Sequence, residues 1–295
     1  MLTNFKNNSS RFASFGAIHL NNTSLKKSIY FWTKIVGMNL KSFSSKMAEF
    51  GTINKTLVVV HESATKPFQK GYSGLYHVAI HAPNKEEFAS MINRLIFHNY
   101  AFSPVDHTMS KSVYLDDPDG INIEFTLETP ERFKKVVTTN GLKIEDTHGN
   151  IKSASDYLDV QKILDHLKDK SSTKIIDDNT YIGHLHLYAK NVEDSNRFYK
   201  KLGFTTFNNL PQFMYSDLGY GGAYQHRIAL NSWHGINKPL APKEYAGLKY
   251  FQIQYNTKNK LDSALQNISK YDQKDDGYYV KDTSGNDILL TCIKK

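Results

Sequence analysis

The sequence predicts an α+β fold made of four βαβββ modules that pair into two curved-sheet domains. Two internal repeats and a recurring turn predict it. The first repeat sets IHLNNTSLKKSIYFWTKIVGM (residues 18–38) beside LHLYAKNVEDSNRFYKKLGF (185–204). The second sets GLYHVAIHAPNKEEFASMINRL (74–95) beside GLKYFQIQYNTKNKLDSALQNI (247–268). Asp119-Gly120 and Ser284-Gly285 supply the turn, each between β-rich runs that close the second and fourth copies.

Each copy reads as an alternating apolar strand, a loop, and an amphipathic helix. In the third, Asn191 or Glu193 would start the helix and Gly203 would stop it, with Phe198, Tyr199 and Leu202 at helical spacing. About three strands follow each helix. The modules span residues 15–62, 74–127, 181–232 and 247–293. Residues 128–180 are more polar and read as a connector with helices near 131–138 and 154–168. The expected domains are 1–128 (modules one and two), a helical connector over 129–180, and 181–295 (modules three and four).

A chain of 295 residues that is 40% hydrophobic and 22% charged is globular rather than disordered. Its one cysteine, Cys292, allows no internal disulfide and points to a reducing, cytoplasmic setting. No apolar run is long enough for a membrane helix, and the polar N-terminus does not read as a signal peptide. The net charge of +8 comes from scattered lysines, which argues against nucleic acid as a partner. The aromatic share of 13% suits a pocket for a planar ligand.

Alternate residues of a strand share a face, so ligands for a metal cupped by a curved sheet fall at repeat-equivalent positions. The four first strands place Ala17, His77, His184 and Tyr250 at one such position, and two last strands place Glu124 and Leu289 at another. Only modules two and three therefore offer ligands: His77, Glu124 and His184. Two imidazoles and a carboxylate suit Fe(II), with positions left for substrate and O2; Mn(II), Zn(II) or Ni(II) would also bind. His19, His81 and His186 share those strand faces as alternative ligands or supporting groups, while His61, His98, His148 and His166 read as surface or core residues.

The stretches GLYHVAI, DPDGINIEF and GHLHL…NVEDSNRFYKKLGF make the chain resemble the vicinal oxygen chelate superfamily. That group includes glyoxalase I, fosfomycin and bleomycin resistance proteins, and extradiol dioxygenases. The resemblance covers nearly the whole chain and is nearest to two-domain, catechol 2,3-dioxygenase-like proteins. It implies a ligand set shared between modules two and three, because neither half holds a complete one. It also implies that Tyr114, ten residues before Glu124, binds a deprotonated substrate oxygen. His226, in AYQHRIALNSW, would be an acid/base residue on the last strand of its module, and His107 would contact substrate.

The expected activity is extradiol cleavage of a catechol or hydroquinone with O2. The alternatives are a glyoxalase-like isomerase or thiol transferase, often with a second carboxylate on the metal, and a non-catalytic binder of a planar aromatic. The expected partners are a small aromatic substrate and O2, with homo-oligomer formation left open.

Overall fold

The computed structural model describes residues 10–171 and 173–293. The first nine residues, which cover most of the stretch judged not to be a signal peptide, lie outside that range. Module one is β1 (Ala13–Asn22), α1 (Leu25–Tyr30) running into a π turn (Phe31–Ile35), β2 (Asn39–Phe43), β3 (Met47–Gly51) and β4 (Thr56–Glu62). Module two is β5 (Gly74–His81), α2 (Lys85–Phe97), β6 (Ser103–Asp106), β7 (Ser110–Asp116) and β8 (Asn122–Glu128). The connector holds β9 (Phe133–Val137), β10 (Lys143–Asp146), β11 (Ile151–Ser153) and α3 (Val160–Leu164). Module three is β12 (Tyr181–Tyr188), α4 (Val192–Lys201), β13 (Thr205–Leu210), β14 (Tyr215–Gly219) and β15 (Ile228–Asn231). Module four is β16 (Gly247–Tyr255), α5 (Lys258–Gln266), β17 (Asp272–Lys274), β18 (Gly277–Lys281) and β19 (Asp287–Cys292).

The same local chemistry starts every module's helix. Ser24, Asn84, Asn191 and Thr257 sit in extended backbone, and each side-chain oxygen accepts a backbone N–H three residues on. Each such cap is worth about 1 kcal/mol. Gly203 ends α4 at φ +96, where a side chain would be strained. The turns of modules two and four are also alike. The Asp117 carboxylate accepts from the N–H groups of Asp119 and Ile121, and Asp282 does the same for Ser284 and Asn286.

Two eight-stranded sheets result, in the orders β17-β18-β19-β16-β1-β4-β3-β2 and β13-β14-β15-β12-β5-β8-β7-β6. Modules one and four thus share one sheet, and modules two and three the other. The expected pairing of one with two and three with four is not the one adopted. Burial gives the reason. β5 and β12 are covered along nearly their whole length on both faces, whereas β1 alternates between buried and half-buried positions and β16 between half-buried and buried ones over Phe251–Tyr255. Strands of like burial lie side by side, the pair β5–β12 at the centre of one sheet and β1–β16 at the centre of the other. β1 packs against β12 and β16 against β5, so one continuous core includes Ile18, Leu20, Val78, Ile80, Leu185 and Leu187.

The connector is not helical as expected. Residues 131–138 form a 3-10 turn (Pro130–Arg132) and then β9, and only Val160–Leu164 of the second expected helix is helical. Asn140 and Gly141 take positive φ (+59 and +101) and close the β9–β10 hairpin, the turn conformation this dipeptide favours. β9, β10 and β11 form a separate three-stranded sheet. No helix among the described residues is long and apolar enough to cross a membrane.

Candidate metal centre and its cavity

Three central strands of the second sheet bring the predicted ligands together. Ala79 on β5 has Glu124 of β8 opposite it on one side and His184 of β12 on the other. His77 lies two residues back on β5, hence on the same face. Glu124 Oε2 is 3.0 Å from His77 Nε2 and 3.0 Å from His184 Nε2, and the two Nε2 atoms are 3.2 Å apart. All three side chains are buried. They are the one cluster of three or more metal-binding side chains among the described residues whose donor atoms lie within 4.8 Å of one another. Three donors bound at right angles to an ion at about 2.1 Å would lie about 3 Å apart, so the set matches one face of an octahedron.

The protons of the surrounding groups point the same way. Burial would raise the Glu128 carboxyl, but hydrogen bonding from His81 and the nearby Arg227 outweigh it and hold Glu128 well below the usual range, as an anion. It can then only accept at Oε1, so His81 Nδ1, 2.9 Å away, donates. Burial keeps His81 neutral, so its Nε2 accepts from His184 Nδ1 at 2.8 Å. Burial likewise holds His184 well below its ordinary value. His184 Nε2 therefore carries a lone pair, and that lone pair faces the Glu124 carboxylate. Two acceptors at 3.0 Å repel unless a cation lies between them, so the donor set fits a divalent ion. Thr126 Oγ1 donates to the other oxygen, Glu124 Oε1, at 2.8 Å and fixes the carboxylate's rotation.

The cluster opens into a cavity of about 680 Å3. On one wall His226 Nδ1 lies 2.8 Å from Asp217 Oδ2, to which the Tyr215 hydroxyl also donates at 3.0 Å. The carboxylate fixes the proton on Nδ1, which leaves Nε2 as an acceptor. The ring centroid of His226 is 4.7 Å from that of His184. On another wall His107 Nδ1 donates to the carbonyl of Ala154 at 2.7 Å, so its Nε2 accepts from the Tyr114 hydroxyl at 2.8 Å. Burial, and then Glu124, hold that hydroxyl well above its ordinary pKa, so it keeps its proton. Thr108 follows His107 at φ +66, a conformation that strains a β-branched residue. Bonds to Asp106 and Thr129 hold it there.

All six expected site residues thus line one cavity. His226 differs in detail, standing in the loop just ahead of β15 rather than on the strand. Of the alternative ligands, His81 sits behind His184, and His186 Nε2 accepts from Asn231 Nδ2 at 2.8 Å. His19 lies in the other sheet, 3.0 Å from His61. Asp217, Tyr215 and Glu128 are absent from the sequence-based set. Asp217 was within reach of the repeat: Tyr114 pairs with Glu124 across β7–β8, and Asp217 pairs with Ala229 across β14–β15. Ala229 occupies in module three the place of Glu124 in module two, so this module adds no second carboxylate there.

The fold and this site point to a class of protein. Residues 14–125 match the Glyoxalase/Bleomycin resistance protein/Dioxygenase superfamily. Among individual proteins, the chain is 29% identical over 267 residues to a catechol-2,3-dioxygenase of Bacillus subtilis (strain 168), covering 89% of this chain and 88% of the relative. A solved Bacillus subtilis protein assigned as a dioxygenase superposes with a TM-score of 0.61 at 11% identity, covering 97% of this chain and 87% of that one. Glyoxalase I from Zea mays superposes at 0.52 and 14% identity, covering 94% and 92%. Likeness at these identities is a likeness of fold.

Proposed function

We propose that the protein is an extradiol dioxygenase that opens the ring of an aromatic diol with O2, using a divalent ion, Fe(II) in the first place, held by His77, Glu124 and His184. The observation that carries this reading is the three-donor face left open to a cavity that also presents a carboxylate-oriented imidazole, His226. Bound there, the ion would gather the diol and O2 and lower the pKa of the phenolic oxygens.

The chain's own groups would do the rest. His226 Nε2, its ring fixed by Asp217, would take a phenolic proton and later return it. The Tyr114 hydroxyl, which donates to His107 Nε2, would present its oxygen to a substrate hydroxyl. Tyr76 and Trp233, with ring centroids 5.9 Å apart, would exclude water from the ring. A glyoxalase-like reaction that needs two carboxylates on the ion finds Ala229 where the second would stand. The single cysteine fits a reducing, cytoplasmic setting.

The test is anaerobic purification with metal analysis, followed by O2 uptake on a panel of catechols and hydroquinones. One equivalent of metal and a yellow ring-opened product are expected. His77→Ala, Glu124→Ala and His184→Ala should each lose the metal. Loss from only one of the three, or no O2 uptake on any diol, sinks the reading.

A further inference from the structure

We propose that the cavity is built for an aromatic diol carrying an uncharged apolar substituent, and that the β9–β10 hairpin of the connector is the element that selects it; this rests on the ring-cleaving reading above. The hairpin closes the open side of the curved sheet. At one edge Arg132 donates to Asp106 of β6 at 2.8 Å, and Asp106 pairs with Asp156 just past β11. Toward the other edge Phe133 of β9 meets Phe207 of β13, ring centroids 5.4 Å apart. The cavity between this roof and the metal-binding floor, about 680 Å3, is far larger than a bare diol ring requires.

The chemistry of the roof is one-sided. Phe133, Val136, Leu142 and Ile144 line the cavity, while Lys134 and Lys135 both engage Glu145 in ion pairs away from it. A register shift at Glu145/Asp146 lets Phe133 and Val136 share the inner face although they are three residues apart. Lys70 is the one lysine or arginine among the described lining residues, and it comes from the loop ahead of β5 rather than from the roof. A carboxylate on the substituent would be stripped of water against the hairpin with no cation to meet it. An alkyl or aryl group would bury there at a gain.

The test is calorimetric binding of phenol and of 4-alkylphenols of increasing chain length to the full-length, metal-loaded protein, with 4-carboxyalkylphenols as the charged series. Affinity is expected to rise about fourfold for each of the first few methylenes, with a negative heat-capacity change. The carboxylated series should bind more weakly than phenol. Val136→Asp and Leu142→Asp should flatten the alkyl series, and the milder Val136→Ala should weaken only its longer members, by several-fold. An alkyl series that is flat in the unaltered protein overturns the proposal, as does a rising series that the folded Asp variants leave intact. Ring opening is scored separately: a rising series with no O2 uptake on any diol refutes the ring-cleaving reading and retains the apolar subsite.

Discussion

Asp217 shows how much a single buried carboxylate can decide. It is almost wholly buried, accepts from Tyr215, and accepts from His226 Nδ1, which orients that imidazole on the cavity wall. Asp217→Asn would present an amide that can donate to Nδ1, stabilising the opposite tautomer and putting the proton on the wrong nitrogen. We expect kcat on an aromatic diol to fall by about 100- to 10,000-fold, the range lost when a positioned base is disabled. Metal content should stay at one equivalent, since Asp217 touches none of the three ligands. A fall in metal content parallel to kcat would show that the residue shapes the metal centre instead. At this scale the candidate ligands could be picked out because three chemically apt side chains stand at repeat-equivalent positions, and the structure brings them within reach of one another. Glu128 could not, because its role runs through His81, and only tertiary packing places that imidazole behind His184.

Strand pairing makes the first sheet a counterpart with different chemistry. At the position of His77 β1 carries Ala17, and at that of His184 β16 carries Tyr250, whose ring stacks on His19 at 3.8 Å. Across β1 and β4, His19 Nδ1 meets His61 Nε2 at 3.0 Å, and Lys249 reaches His61 from β16. Burial, then His61 and Lys249, lower the His19 pKa to about 3 against the opposing pull of Asp276; burial and Lys249 lower His61 to about 4. Folded-state values below the ordinary 6.5 mean that the unfolded chain takes up protons the folded chain refuses. This part of the stability is therefore fully present above pH 6.5 and drains away as pH falls toward 3. His19→Phe keeps the stacked ring and removes the titration, so its melting temperature should fall less than that of the unaltered protein between pH 6.5 and 4.5. Parallel curves would contradict the assignment. The connector's strands show what local pattern conceals. Phe133-Lys-Lys-Val-Val fits one turn of helix as well as a short strand, and the Asn140-Gly141 hairpin dipeptide was the signal that separates the two.

The arrangement of modules has a consequence for the whole chain. Residues 1–128 contain His77 and Glu124 but not His184, and they hold only half of each sheet. Expressed alone they would expose the edges of both β1 and β5, where β16 and β12 belong. We expect this fragment, and 181–295 likewise, to aggregate or self-associate in size-exclusion chromatography and to bind no metal stoichiometrically. Metal binding should return when the two halves are co-expressed. A monomeric, folded 1–128 would show that a pairing of module one with module two is also stable.

By itself the sequence determined the number of modules, their helix caps and turns, and the residues able to ligate an ion. These depend on short-range periodicity and on side-chain chemistry at fixed repeat positions. Tertiary structure alone decided that module two joins module three, that His184 therefore flanks Ala79 opposite Glu124, and that the connector roofs the cavity. Alternation along a strand sets which face is buried, but every first strand offers an equivalent hydrogen-bonding edge. Which edges join is settled by the burial gained over the whole molecule.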